Sequence, residues 1–255
     1  MKPPVFEYHR PESLREALEL LATLSDVKIL AGGQSLMPMM NFRYVMPEHI
    51  IDINRLKELA EIKRVHDGIK FGAMARHDQA MKSEIVLERC PLIAVGMEYV
   101  AHAQIRNRGT IGGSMAHLDP SAEWPALLAV HDATLHVQSS SGERDVPILE
   151  WSQGFMAPNL AEDEMLTDIT VATWPARHVY GFAELARRKG DFALAGAAVL
   201  LDFDGEVISR AALALMGVEV GPVRMIDAEN LLVGEIPSDE LFREAAEHAT
   251  VVAGI

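Results

Sequence analysis

Two short segments pair adjacent glycines with small hydroxyl residues: Ala31-Gly32-Gly33-Gln34-Ser35 and Thr110-Ile111-Gly112-Gly113-Ser114. Adjacent glycines permit positive φ and let a backbone approach a ligand with no Cβ in the way. Successive amides can then form a concave nest for an anion, most often a phosphate. Ser35, Thr110 and Ser114 would add hydroxyl donors. A tight turn is the alternative for each pair taken alone. A diphosphate has two ends, and two loops could hold it where one would not. Neither segment is a Gly-x4-Gly-Lys-Ser/Thr loop or a Gly-x-Gly-x-x-Gly fingerprint, which disfavours a nucleoside triphosphatase and a Rossmann dehydrogenase.

Other chemistry-bearing residues are less patterned. Asp119 and Glu123 follow the second glycine pair and could accept hydrogen bonds from ligand hydroxyls; a solvated loop or a helix cap is the alternative. The run Arg187-Arg188-Lys189-Gly190-Asp191 reads equally as a surface turn or as a basic contact to a cofactor. The ten histidines are scattered with no His-Glu-x-x-His, and His131 and His136 straddle a helix-to-strand junction, so no metal site is expected. Gly-x-Ser-x-Gly is absent, so no nucleophile elbow is expected. Cys90, the only cysteine, precedes Pro91 and has no local His; it reads as a buried, inert thiol.

These residues must be positioned by a mixed set of elements. Ser13 and Glu16 form a capping-box pattern, with Leu14, Ala17, Leu18 and Leu21 on one helical face. Strands are predicted at 27–30, 50–53 and 69–72, and a helix from Pro91 to His102. Residues 134–138 and 144–148 read as a hairpin turning at Ser140-Ser141-Gly142. Trp174-Pro175 marks a boundary. Residues 192–203 and 207–215 read as an antiparallel pair turning at Asp204-Gly205, and 238–252 as a helix capped by Ser238 or Asp239. The expected class is α+β in two parts, split near residue 175.

Composition bounds the function. The chain has 255 residues with 37 acidic and 23 basic side chains, a net charge of −14. Such a chain is a poor partner for nucleic acid or an anionic membrane surface, both of which select clustered Lys and Arg. One cysteine permits no intrachain disulfide, iron–sulfur cluster or thiolate zinc site, and fits a reducing cytoplasm. The longest clean apolar stretch, 192–201, is half of what a spanning helix needs. The N-terminus shows no export signal, so a cytoplasmic location is expected.

The segments Phe6-Glu7-Tyr8-His9-Arg10-Pro11, Ala31 to Leu36, Gln104 to Ser114, His117 to Glu123 and Arg187 to Ala193, in this order, resemble the flavin-carrying medium subunit of the molybdenum hydroxylases, the xanthine dehydrogenase and aerobic carbon monoxide dehydrogenase family. The resemblance covers nearly the whole chain. It implies an FAD-binding domain of the vanillyl-alcohol-oxidase (PCMH) type over 1–175, in two α+β subdomains divided near 55–60. A smaller C-terminal domain of antiparallel sheet and helices would follow over 176–255, shorter than in relatives, which continue past a helix like that at 238–252.

The resemblance also implies the cofactor and its contacts. FAD would be bound non-covalently. Ile29, Leu30, Ala31, Gly32, Gly33, Gln34, Ser35 and Leu36 would hold its diphosphate. Thr110, Ile111, Gly112, Gly113 and Ser114 would meet the diphosphate and the ribityl or flavin from the other side. His117, Asp119, Glu123, Lys189 and Phe192 complete the set. Glu123 falls where relatives carry a flavin-contacting Asp, Lys189 matches a basic residue of the flavin site, and Phe192 stands where some relatives have Tyr. Oxidases of this fold that tether flavin often use a His in the first loop; Gln34 cannot form that bond.

The implied function is electron transfer. Substrate would be hydroxylated at a molybdenum cofactor in a large subunit, and electrons would pass through two 2Fe-2S clusters of a small subunit to FAD here, then to an acceptor, in a dimer of heterotrimers. No side chain of this chain would be catalytic, because the flavin carries the chemistry. A standalone flavin oxidase of the same fold, acting directly on a small molecule, is the alternative; a binding module whose glycine pairs are only turns is a third.

Overall fold

In a computed structural model, described here for residues 1–252, the chain opens with a small parallel sheet. Strand β1 (Glu7–His9) leads to helix α1 (Leu14–Thr23), strand β2 (Val27–Leu30), helix α2 (Leu36–Asn41) and strand β3 (His49–Asp52). The sheet order is β1-β3-β2. Ser13 caps α1 by accepting from the Glu16 amide at 3.2 Å, whereas the Glu16 carboxylate turns to the amide of Glu12 at 2.8 Å. The apolar stripe of α1, Ala17, Leu18 and Leu21, packs on Ile51 and Ile53 in a core of its own.

The next unit is an antiparallel sheet with helices on one face. Strands β4 (Ile62–Val65) and β5 (Gly68–Gly72) are followed by six helices: α3 (His77–Lys82), α4 (Glu84–Arg89), α5 (Pro91–Met97), α6 (Ala103–Arg106), α7 (Ile111–His117) and α8 (Glu123–Val130). Then come β6 (Thr134–Ser139), β7 (Gly142–Pro147), the short pair β8 (Ser152–Gly154) and β9 (Ala157–Pro158), and β10 (Met165–Ala172). The five-stranded order is β4-β5-β10-β6-β7.

A third sheet follows: β11 (Val179–Ala186), β12 (Ala193–Asp204), β13 (Val207–Met216) and β14 (Val223–Arg224), hydrogen-bonded in that order. Helices α9 (Ile226–Leu232) and α10 (Asp239–Val252) cover one face through Leu201, Ile208, Met225, Leu232 and Ala245. Ser238 accepts from the Leu241 amide at 3.1 Å and so caps α10.

Helix α8 explains how the second and third sheets join. Residues 124–130 are all buried, because α8 lies in a single core that contains Phe71, Leu135 and Ile169 of one sheet and Ala198, Leu200, Ala212 and Ala214 of the other. A helix apolar all round is what such a position requires.

The structure departs from the sequence expectations at four places. The helix expected over 91–102 stops at Met97 and restarts at Ala103, with Ala101 at φ 40° between. The 134–148 hairpin turns on Ser140 and Ser141, and Gly142 already belongs to β7. The strand expected from Phe192 begins at Ala193, leaving Phe192 in the preceding turn with 75% of its surface exposed. The antiparallel pair gains β11 and β14 on its two sides.

Candidate functional site at the two glycine loops

The first glycine loop leaves β2 and enters α2. Gly33 takes φ +72°, a conformation a Cβ disfavours. The Met37 amide reaches back to the Gly33 carbonyl at 3.2 Å, and that of Met39 to the Ser35 carbonyl at 3.1 Å. Among the described residues, the amides of Gly32, Gly33, Gln34 and Ser35 donate to no protein acceptor. Ile29 and Leu30 lie on β2 beneath the loop, and Leu36 begins α2. The Gln34 side chain stays local, 3.5 Å from the Gly32 carbonyl.

The second loop is built differently. Thr110 is the N-cap of α7, its hydroxyl accepting from the Gly113 amide at 3.1 Å. The Ile111 amide donates to Ala75 at 3.0 Å, Gly112 to Ala73 at 2.8 Å and Ser114 to the Thr110 carbonyl at 3.0 Å. Gly112 is required by packing: a Cβ there would lie 2.5 Å from the Ala73 Cβ and 2.8 Å from its carbonyl oxygen. The expectation of an open amide nest here is therefore corrected. The fold already uses those donors, leaving the Thr110 and Ser114 hydroxyls.

The two loops meet. A Cβ on Gly32 would stand 2.5 Å from the Arg108 carbonyl oxygen and 2.8 Å from the Gly109 Cα. A Cβ on Gly113 would come within 4.0 Å of the Ala31 Cβ. Segments almost eighty positions apart in sequence thus share one backbone junction.

Residues outside either motif hold that junction. Asn54 Nδ2 donates to the Ala31 carbonyl at 2.8 Å, and Asn54 is held by Asp52. Arg76 donates from one nitrogen to Asn54 Oδ1 at 2.7 Å and from another to the Arg108 carbonyl. One guanidinium therefore ties a residue that grips the first loop to the approach of the second. On the far side, the buried His77 ring accepts from Trp124 Nε1 at 2.8 Å and sits where a Gly109 Cβ would be, at 2.6 Å. Burial, reinforced by Arg76 and Arg106, pushes its pKa down to about 4, so the ring is neutral. Sequence reasoning missed Asn54, Arg76 and His77. The only local signal was Asp52-x-Asn54 at a strand end, an Asx-turn pattern.

The remaining predicted residues form two further groups. His117 ends α7, and Leu118 closes it at φ 50°. Asp119 accepts from the Ser121 amide at 2.9 Å, a turn that delivers Glu123 to the first position of α8. Burial, helped by the carboxylates of Glu184 on β11 and Asp119 and opposed by the hydrogen bond from its own amide, raises the Glu123 pKa to about 7. Glu184 is likewise raised by burial, and its Oε2 has no partner among the described residues. Lys189 and Phe192 sit in the β11–β12 turn. Lys189 lines a cleft of about 490 Å³ with His102, Arg106 and Glu98. Gly190, at φ +85°, abuts the His102 ring. The contacts of this turn are with the stretch from Ala101 to Arg106. Cys90 is buried, and its thiol is pushed up to about 12 by burial, as an inert core thiol requires.

Residues 4–174 match the family model described as FAD binding domain in molybdopterin dehydrogenase, and residues 180–252 match the CO dehydrogenase flavoprotein C-terminal domain. The chain is 40% identical over 98% of its length to the 6-hydroxypseudooxynicotine dehydrogenase complex subunit alpha of Paenarthrobacter nicotinovorans, covering 85% of that protein. It is 38% identical to the carbon monoxide dehydrogenase medium chain of Hydrogenophaga pseudoflava, covering 99% of this chain and 88% of that one. A solved carbon monoxide dehydrogenase from H. pseudoflava, lacking the Mo-pyranopterin moiety, superposes with a TM-score of 0.96 over 99% of this chain and 88% of that chain, at 40% identity. The α+β fold and its antiparallel C-terminal sheet are those of these flavin subunits. The chain belongs to the FAD-binding medium-subunit family of the molybdenum hydroxylases, an oxidoreductase family.

Proposed function

We propose that this chain holds FAD non-covalently and passes electrons from a partner's iron–sulfur clusters to an external acceptor. The partners would be a large molybdopterin-binding subunit and a small 2Fe-2S subunit, assembled as a dimer of heterotrimers in the cytoplasm. Relatives named as the medium chain of carbon monoxide dehydrogenase, the medium subunit of nicotine 6-hydroxylase and subunit alpha of a 6-hydroxypseudooxynicotine dehydrogenase complex support that assembly. We further propose that residues 1–175 and 176–255 are the two functional units, the first divided near 55–60.

The observation that carries the reading is the junction of the glycine loops beside four amides without protein acceptors. Unpaired amides on a left-handed glycine turn suit the oxygens of a diphosphate. The Thr110 and Ser114 hydroxyls would bind from the opposite side. Arg76 and Arg108 add positive charge at the same place, favouring an anion. Asp119 and Glu123 would orient hydroxyl or imide hydrogens of the cofactor. Lys189 would stabilise negative charge on the ring and bias it towards the reduced form. Phe192 would lie against the ring with an edge that offers no hydroxyl. When bound, FAD supplies the redox chemistry, taking electrons singly and releasing them in pairs. Gln34 offers no nucleophile, so the cofactor would dissociate on denaturation.

The test is reconstitution. The purified chain should take up one FAD and stay yellow with small-molecule substrates until both partner subunits are added, when substrate should bleach it. Bleaching by the chain alone would assign it to the standalone oxidases, and failure to take up FAD would remove the reading altogether. Within the assembled complex, Lys189→Met should shift the flavin potential and lower the acceptor rate.

A further inference from the structure

The ten histidines show no ligand spacing in sequence, but the parallel pairing of β1 with β3 unites three residues from neighbouring strands some forty positions apart in the chain. The register sets Glu7 opposite His49 and His9 opposite Ile51. Side chains alternate along a strand, so Glu7 and His9 share a face, and His49 lies on that same face. His9 Nε2 is 3.1 Å from His49 Nδ1, and His49 Nδ1 is 3.5 Å from Glu7 Oε2. All three donor atoms lie within 4.8 Å of one another. Tyr8, between the two β1 residues, projects to the other face and donates to Asp52.

We propose that Glu7, His9 and His49 form a divalent transition-metal site of the zinc class that clips β1 onto β3. The donor set is two imidazoles and one carboxylate, which suits zinc and its neighbours and not calcium or magnesium. Two nitrogens bound at about 2.05 Å with a tetrahedral angle stand roughly 3.3 Å apart, so the imidazole pair is already spaced for a shared ion. The His49 side chain is 17% exposed and that of Glu7 68%, which sets a largely buried ligand at the floor and an exposed one at the mouth, where water could serve as fourth ligand. The ring nitrogen that now donates across the pair would move its proton to the ring's other nitrogen, so both imidazoles bind neutral with no proton lost from either. β1 is only three residues long and, among the described residues, pairs with β3 alone. A metal closing residues 7 and 9 onto 49 would therefore hold an edge strand that few hydrogen bonds secure.

The experiment is calorimetric titration of the tag-free full chain with Zn²⁺, repeated with Co²⁺ in the visible spectrum. The wild type should bind one equivalent, show the intense visible band of four-coordinate Co²⁺, and melt at a higher temperature with Zn²⁺ than without. His9→Gln and His49→Ala should each weaken Zn²⁺ binding more than about tenfold, and Glu7→Gln less, while His66→Gln should leave it unchanged. Because His49→Ala removes a half-buried ring, His9→Gln is the deciding variant; its melting temperature without metal should match the wild type and should no longer rise with Zn²⁺. Equal affinity in wild type and His9→Gln, or no stoichiometric binding by the wild type, overturns the proposal.

Discussion

In the first glycine loop the amides of Gly32 to Ser35 have no protein acceptor, whereas in the second those of Ile111 to Ser114 are all paired inside the fold. The two stretches share a composition of paired glycines and hydroxyls, yet their glycines do different work. Gly33 supplies a left-handed turn and Gly32 a close backbone approach to the second loop. Gly112 lets α7 lie against Ala73, and Gly113 leaves room for the Thr110 cap. One loop is an open set of donors; the other is the wall that positions it.

That contrast can be broken by substitution. Gly32→Ala drives a methyl into the Arg108 carbonyl and separates the loops. The expected cost is roughly 3 kcal/mol, a loss of more than about a hundredfold in FAD affinity by fluorescence titration. Gly112→Ala should instead register as lost stability, about 2–3 kcal/mol or roughly 5–10 °C in melting temperature, with the folded fraction keeping most of its FAD affinity.

A pH experiment sharpens the same comparison beyond the second loop. Glu123 has its pKa raised to about 7 in the fold. Between its unfolded value and 7 the folded chain holds a proton that the unfolded chain has released, so stability falls as pH rises through this window. The loss is on the order of 3 kcal/mol by pH 8. Glu123→Gln should flatten that dependence in thermal melts taken from pH 5 to pH 8 and melt higher than wild type at pH 8. An unchanged slope would mean that the carboxyl titrates normally.

Smaller effects test the supports. Arg76→Met cuts the tie between Asn54 and Arg108 and should weaken FAD about tenfold, consistent with losing charge-assisted hydrogen bonds worth about 1.5 kcal/mol. Thr110→Val removes the α7 cap and should cost about 1 kcal/mol, or 2–4 °C, whereas Thr110→Ser should restore it.

Much of this was legible in the sequence because local rules carry it. The α1 cap and stripe, the Asp204-Gly205 turn and the Ser238 cap each need only neighbours within four positions. That both loops serve one ligand was implied by family likeness; the contact of Gly32 with Arg108 was not, since only tertiary structure brings the loops together. Asn54, Arg76 and His77 were illegible for the same reason: each acts on a partner more than twenty positions away, and beyond the Asx-turn pattern of Asp52-x-Asn54 none carries a local signal. The opposite error occurred at the second loop, where a composition suited to an anion nest proved to be a helix cap and a packing contact. Glycine pairs report that a backbone comes close to something; they do not report whether that something is ligand or protein.

The most direct test is amide hydrogen exchange of the full chain with and without FAD, resolved over residues 31–36 and 110–115. The account predicts fast exchange at Gly32 to Ser35 without FAD and strong protection with it, while Ile111 to Ser114 are protected in both states. FAD-dependent protection confined to Ile111 to Ser114, with Gly32 to Ser35 unaffected, would contradict it.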